Sequence, residues 1–193
     1  MPSNCRPSPA LRSRRCLIIT GPTGSGKTTL ASAVVERLRG RGLRVGGILA
    51  PGLLEDGRRT GFDIVHLGTG ESSPLARESV GTGGPHARWS RFAFLPGGLA
   101  LGQRALGPDA DVADVIVVDE VGPFELAGGG WASALDRLAR DYAGVILLVA
   151  RASVVDAIEA RWGSADTVVC DVASSSAEQV AALAAEAARA ARA

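Results

Sequence analysis

Residues 21–28 read GPTGSGKT, and the pattern G-x-x-x-x-G-K-[ST] is a device for holding phosphate. Its glycines let the backbone wrap an anion and turn successive N–H groups inward. A helix beginning at the loop's end adds the positive end of its dipole. Gly21, Pro22, Thr23, Gly24, Ser25, Gly26, Lys27, Thr28 and Thr29 are therefore the nucleotide-binding candidates. Lys27 extends a compact ammonium toward the β- and γ-phosphates, and the Thr28 hydroxyl is suited to ligate Mg2+. Of 21 basic residues in the chain, Lys27 is the one lysine. A planar guanidinium grips phosphate from outside and does not replace a point charge within a tight loop.

Such a loop needs a carboxylate at the tip of another strand to complete the magnesium shell. VIVVDE, residues 115–120, supplies Asp119 for that role. The adjacent Glu120 is placed to orient and polarise an attacking water, a role that favours hydrolysis over phosphoryl transfer to an acceptor. Glu125 follows in DEVGPFEL, where spacing alone leaves it either a site residue or an ordinary loop acid. Arginines also neutralise charge developing on a γ-phosphate. Arg58, Arg59, Arg88, Arg91 and Arg151 are the candidates, Arg59 the chosen one, although surface solvation explains any single arginine equally simply. Trp89, Trp131 and Trp162 read as packing residues. With one lysine the chain has no N-K-x-D element for reading guanine, and Asp171 or Ser174 in VVCDVASS stands either beside the base or in a helix cap.

These residues must be held by strands and helices that the pattern also predicts. Cys16 to Thr20 reads as a buried strand, Lys27 to Arg39 as a helix, and Arg44 to Ala50 and Gly61 to Leu67 as two strands joined by turns. The stretch 68–107 is crowded with Gly and Pro and reads as loops, broken by a strand at Arg91 to Phe94. Asp114 to Glu120 and Ala143 to Ala150 are short β-branched runs without alternation, as expected of strands covered on both faces. WASALDRLARDY between them reads as a helix. A helix at Ser153 to Arg161, a strand in DTVVCDV and an alanine-rich helix from Ser176 complete the chain. Strands alternating with helices predict an α/β fold with a mainly parallel central sheet flanked by helices, plus an added antiparallel hairpin.

At 193 residues with 46% hydrophobic content, the chain predicts one domain over residues 15–193, after a disordered leader at 1–14. A formal charge of +1 with scattered arginines gives no support to nucleic-acid or membrane binding. Cys5, Cys16 and Cys170 are odd in number and lack metal-ligand spacing, which fits a reducing cytoplasm.

The chain resembles the nucleoside-triphosphatases of the thermophile and cancer-related NTPase type. The resemblance covers most of residues 16–165 and rests on GPTGSGKTTL, on RTGFDIV with Arg59 and Gly61, on SRFAF, and above all on DEVGPFEL. It implies a RecA-like P-loop core and Mg2+-dependent hydrolysis of nucleoside triphosphates to diphosphate and phosphate, with broad base tolerance. It also implies that Glu125 belongs to the active site together with Lys27, Glu120 and Arg59. SRF replaces the family's Gly-basic-Tyr, and VASSSAEQ lacks its asparagine-arginine pair. Two other readings stand beside hydrolysis: a small-molecule or nucleotide kinase, and a slow nucleotide-dependent switch or cofactor-assembly accessory protein that signals to a protein partner.

Overall fold

The computed structural model describes residues 15–78, 88–89 and 92–192. The expected leader, Arg91 and the side chains of Arg88 and Trp89 lie outside the described residues. In chain order the first elements are β1 (Arg15–Gly21), α1 (Lys27–Gly40), β2 (Val45–Leu49), β3 (Gly52–Glu55), β4 (Arg58–His66), β5 (Ser72–Glu78), β6 (Arg88–Trp89) and β7 (Phe92–Phe94). They are followed by α2 (Pro96–Ala105), β8 (Val115–Val121), α3 (Pro123–Leu126), α4 (Ala132–Asp141), β9 (Val145–Arg151), α5 (Val155–Trp162), β10 (Val168–Asp171) and α6 (Ala177–Arg192).

All strands join one sheet in the order β10-β1-β9-β8-β2-β4-β5-β7-β6, with β3 paired to β4. The first five in that order run parallel. From β4 onward the pairing is antiparallel. The unalternating runs seen in the sequence have the expected cause: both faces of the parallel half are covered. In β1, Leu17 and Ile19 pack with Ala31, Val34, Val35 and Leu38 of α1 and the alanines of α6. Cys16 and Ile18 face the other way, into a second core with Leu101, Leu135, Ile158 and Trp162 from α2, α4 and α5. Trp131 and Trp162 are core residues, as the packing reading has it.

The predicted α/β architecture with its mainly parallel sheet is present, and the antiparallel part is larger than one hairpin. Among the described residues, 68–107 are not loops throughout, for they hold β5 and α2, and β7 falls within the strand expected at Arg91 to Phe94. Pro96, Gly98 and Gly102 there serve the helix and its close packing. Pro96 begins α2, where its missing N–H costs nothing. A Cβ on Gly98 would run into the backbone at Pro74, and one on Gly102 would run into the Trp131 ring. Composition reads these residues as turn formers; contacts from distant strands made them helix residues. No helix among the described residues is long and apolar enough to cross a membrane.

Candidate active site

Parallel strands deliver their C-terminal tips to one edge of the sheet, where open α/β folds bind ligands. The phosphate loop leaves the tip of β1 and ends in the first turn of α1. Gly24 and Gly26 take φ of 78° and 89°, the left-handed region that lets a chain of L-residues close around an anion. α1 has no side-chain cap and no acid in its first turn, so its N-terminal N–H groups remain directed at the loop's hollow. Pro22, Thr23, Gly24, Gly26 and Thr29 are exposed, Ser25 and Thr28 half-buried, and Gly21 and Lys27 buried.

Lys27 donates from Nζ to the carbonyl oxygens of Gly21 at 3.1 Å and Pro22 at 2.7 Å. Burial lowers its pKa. Glu120 and Asp119 oppose that shift, while the Arg151 and Arg59 charges add to it, so all four groups stand within electrostatic reach of one ammonium.

Asp119 stands near the tip of β8 and is only 1% exposed. The Thr28 hydroxyl donates to its Oδ1 at 3.3 Å, and the Ala50 N–H, just beyond β2, donates to Oδ2 at 3.1 Å. Burial pushes its pKa up to about 7 despite these two bonds, the mark of a carboxylate whose charge lacks a full counter-charge. An anionic oxygen and a hydroxyl oxygen held together in this way fit a small hard cation such as Mg2+. Among the described residues no three His, Cys, Asp or Glu side chains gather into a metal site.

Glu120 is held differently. The β8–β9 register pairs Asp119 with Val149 and Val121 with Ala150, which leaves Glu120 as the extra residue of a bulge. A bulge re-aims a side chain out of the ladder, and the Glu120 side chain is 33% exposed at the site's mouth. Its Oε1 accepts a hydrogen bond from Arg151 Nε at 2.9 Å.

Glu125 is turned inward in α3, buried, with Oε2 accepting the Gly122 N–H at 2.9 Å. The backbone N–H groups of Glu125 itself and of Trp131 also favour its charged form. Burial outweighs these donors and raises the pKa to about 7. The structure thus brings Lys27, Thr28, Asp119 and Glu120 together, and Glu125, within electrostatic reach of Glu120, fastens the loop that follows β8. Arg59 lies on β4 with its guanidinium 5.2 Å from the Phe62 ring centroid, against Gly52, where a Cβ would strike it. Asp171 Oδ1 accepts the Ala173 N–H at 2.8 Å, a turn within the loop after β10, and the cap of α6 is Ser176, whose Oγ accepts the Gln179 N–H.

The sheet order accounts for this convergence: one strand, β9, separates the strand carrying the phosphate loop from the strand carrying the carboxylates. A family model described as NTPase matches residues 16–181. The chain belongs to the NTPase family. The resemblance carried by DEVGPFEL is thereby borne out, and with it the class of enzyme, a nucleoside-triphosphate hydrolase. The nucleoside-triphosphatase THEP1 of Methanopyrus kandleri is 38% identical over 149 residues, covering 75% of this chain and 81% of that protein. THEP1 of Ignicoccus hospitalis is 48% identical over 111 residues, and the match takes in 58% of this chain and 61% of that protein, under two thirds of its length. A human cancer-related nucleoside triphosphatase has a similar structure, with TM-score 0.63 and 26% identity over 81% of this chain and 88% of that one. The crystal structure of THEP1 from Aquifex aeolicus shares the fold, with TM-score 0.62 and 23% identity over 81% of this chain and 89% of that one. One group at the candidate site of this NTPase escapes sequence reasoning: the Ala50 N–H has no side-chain signature. Arg151, one of the arginine candidates in the sequence, is set beside Gly21 by the sheet order.

Proposed function

We propose that this NTPase hydrolyses nucleoside triphosphates to diphosphate and phosphate with Mg2+, with broad tolerance of the base. Gly21 to Thr29 bind the phosphates, and Lys27 exchanges its two carbonyl partners for β- and γ-phosphate oxygens. Thr28 and Asp119 would hold Mg2+, which would supply positive charge to the phosphates. Glu120 orients a water and takes its proton as the water oxygen attacks the γ-phosphorus. The bond from that phosphorus to the bridging oxygen breaks, and the diphosphate leaves. Arg59, within electrostatic reach of Lys27, offers charge to the γ-phosphate oxygens.

The observation that carries this reading is the contrast between the paired acids. Asp119 is sealed against the Thr28 hydroxyl, whereas Glu120 is bulged out of the ladder toward solvent. Base tolerance is supported by the loop after β10, which packs Val172 against Gly21 and spends the Asp171 carboxylate on its own turn. The buried free thiol of Cys170 supports a reducing, cytoplasmic setting. The test is steady-state phosphate release with Mg2+ and each of ATP, GTP, CTP and UTP. All four should be hydrolysed at comparable kcat/KM, and wild-type turnover in Glu120→Gln or Lys27→Ala would overturn the mechanism. A phosphorylated acceptor appearing in place of free phosphate would make the protein a kinase.

A further inference from the structure

We propose that Arg151 is the positioning residue for Glu120, holding that carboxylate in the orientation from which it addresses the attacking water. The inference rests on the reading above, in which Glu120 activates water. Three observations carry it. First, Arg151 ends β9, which lies between β1 and β8, and its register partner on β1 is Gly21, the first residue of the phosphate loop. A side chain at that tip stands between the phosphates and the carboxylates. Second, the ladder turns Glu120 outward without a partner residue on β9, so no facing residue there fixes its rotamer. A partly exposed glutamate at a bulge samples several rotamers, and a productive one has to be selected. Third, Arg151 Nε donates to Glu120 Oε1 at 2.9 Å, with side chains 50% and 33% exposed. That bond engages one carboxylate oxygen and leaves Oε2 for water.

An ion pair as exposed as this one contributes little to stability. Its consequence lies in geometry: a base held within reach of its proton gains rate that a freely rotating one forfeits. The surroundings agree, because Lys27 feels both the Glu120 and the Arg151 charges. A lysine at 151 would keep the charge and lose the planar fork that fixes direction.

The test compares wild type, Arg151→Ala, Glu120→Gln and the double variant in single-turnover and steady-state phosphate release with ATP and Mg2+. Binding of a non-hydrolysable ATP analogue is measured alongside, and thermal melts confirm that each variant is folded. Arg151→Ala should lower kcat about 10- to 100-fold with KM and analogue affinity within about threefold. In the Glu120→Gln background the same substitution should cost nothing further, because an effect transmitted through the carboxylate vanishes with it. The proposal is overturned by wild-type kcat in Arg151→Ala, by a loss confined to KM and analogue affinity, or by losses that add in the double variant. These failures are distinct from failure of the underlying reading, whose signature is full turnover by Glu120→Gln alone.

Discussion

Glu125→Gln separates a carboxylate that fastens the fold from one that does chemistry. In the folded protein burial raises the Glu125 pKa from the ordinary 4.5 to about 7. A group raised on folding contributes stability that is fully present below 4.5 and is lost as pH climbs through 7. The gap between 4.5 and about 7 corresponds to about 3 kcal/mol as an upper figure. Glutamine keeps the shape and one acceptor oxygen but never ionises. At pH 5.5 the variant and the wild type therefore both carry a neutral side chain and should melt within a few degrees of each other. At pH 8.5 the wild type bears a buried charge, and the variant should gain on it by about 1–3 kcal/mol, which is roughly 3–9 °C for a domain of this size. Thermal melts of both proteins at pH 5.5, 7 and 8.5, followed by far-UV circular dichroism, read this directly. A variant-to-wild-type difference that stays flat across the range would refute the desolvation argument. Phosphate release completes the experiment. A residue whose role is to accept the Gly122 N–H should leave kcat within about tenfold of wild type when replaced by glutamine, whereas a reacting carboxylate would lose far more.

Three further outcomes follow from particular residues. Gly47 on β2 has φ 94°, and a Cβ there would collide with the Val117 backbone on β8, so Gly47→Ala should cost about 2–5 kcal/mol and lower Tm by about 10 °C in a melt. Burial pushes the Asp114 pKa up, but hydrogen bonds from Arg192 and Arg44 outweigh it and hold the carboxyl at about 2. That stabilisation is present above 3.8 and lost as pH falls through about 2. Because both arginines are half-exposed or more, the expected loss in Asp114→Asn is about 1 kcal/mol in urea melts at pH 7, shrinking by pH 3. Thr28→Ala removes the hydroxyl that faces Asp119 and should raise the Mg2+ concentration for half-maximal phosphate release by about tenfold, with Thr28→Ser near wild type.

The contiguous parts of the site were legible in the sequence. GPTGSGKT carries its own backbone chemistry, because loop, lysine and hydroxyl are neighbours along the chain and need only a helix to start where Lys27 stands. The VIVVDE run placed Asp119 and Glu120 at a strand tip for the same local reason, and DEVGPFEL pointed to the family. Sequence also gave the alternation of buried strands with amphipathic helices, since each pattern is a property of its own segment.

Tertiary structure decided whatever depends on which strand lies beside which. Inserting β9 between β1 and β8 sets Arg151 beside both Gly21 and Glu120, although these residues are far apart in the chain. The β8–β9 register decides that Asp119 seals inward and Glu120 swings outward, a division that two adjacent acids do not announce. Glu125, within the signature, turns its carboxylate onto the Gly122 N–H because α3 starts directly after Gly122. The glycines of α2 became helix residues because the β5 backbone and the Trp131 ring approach too closely for any side chain. The common cause is that long-range packing and strand register are settled by contacts between distant segments, while local sequence encodes only what neighbouring residues do to one another.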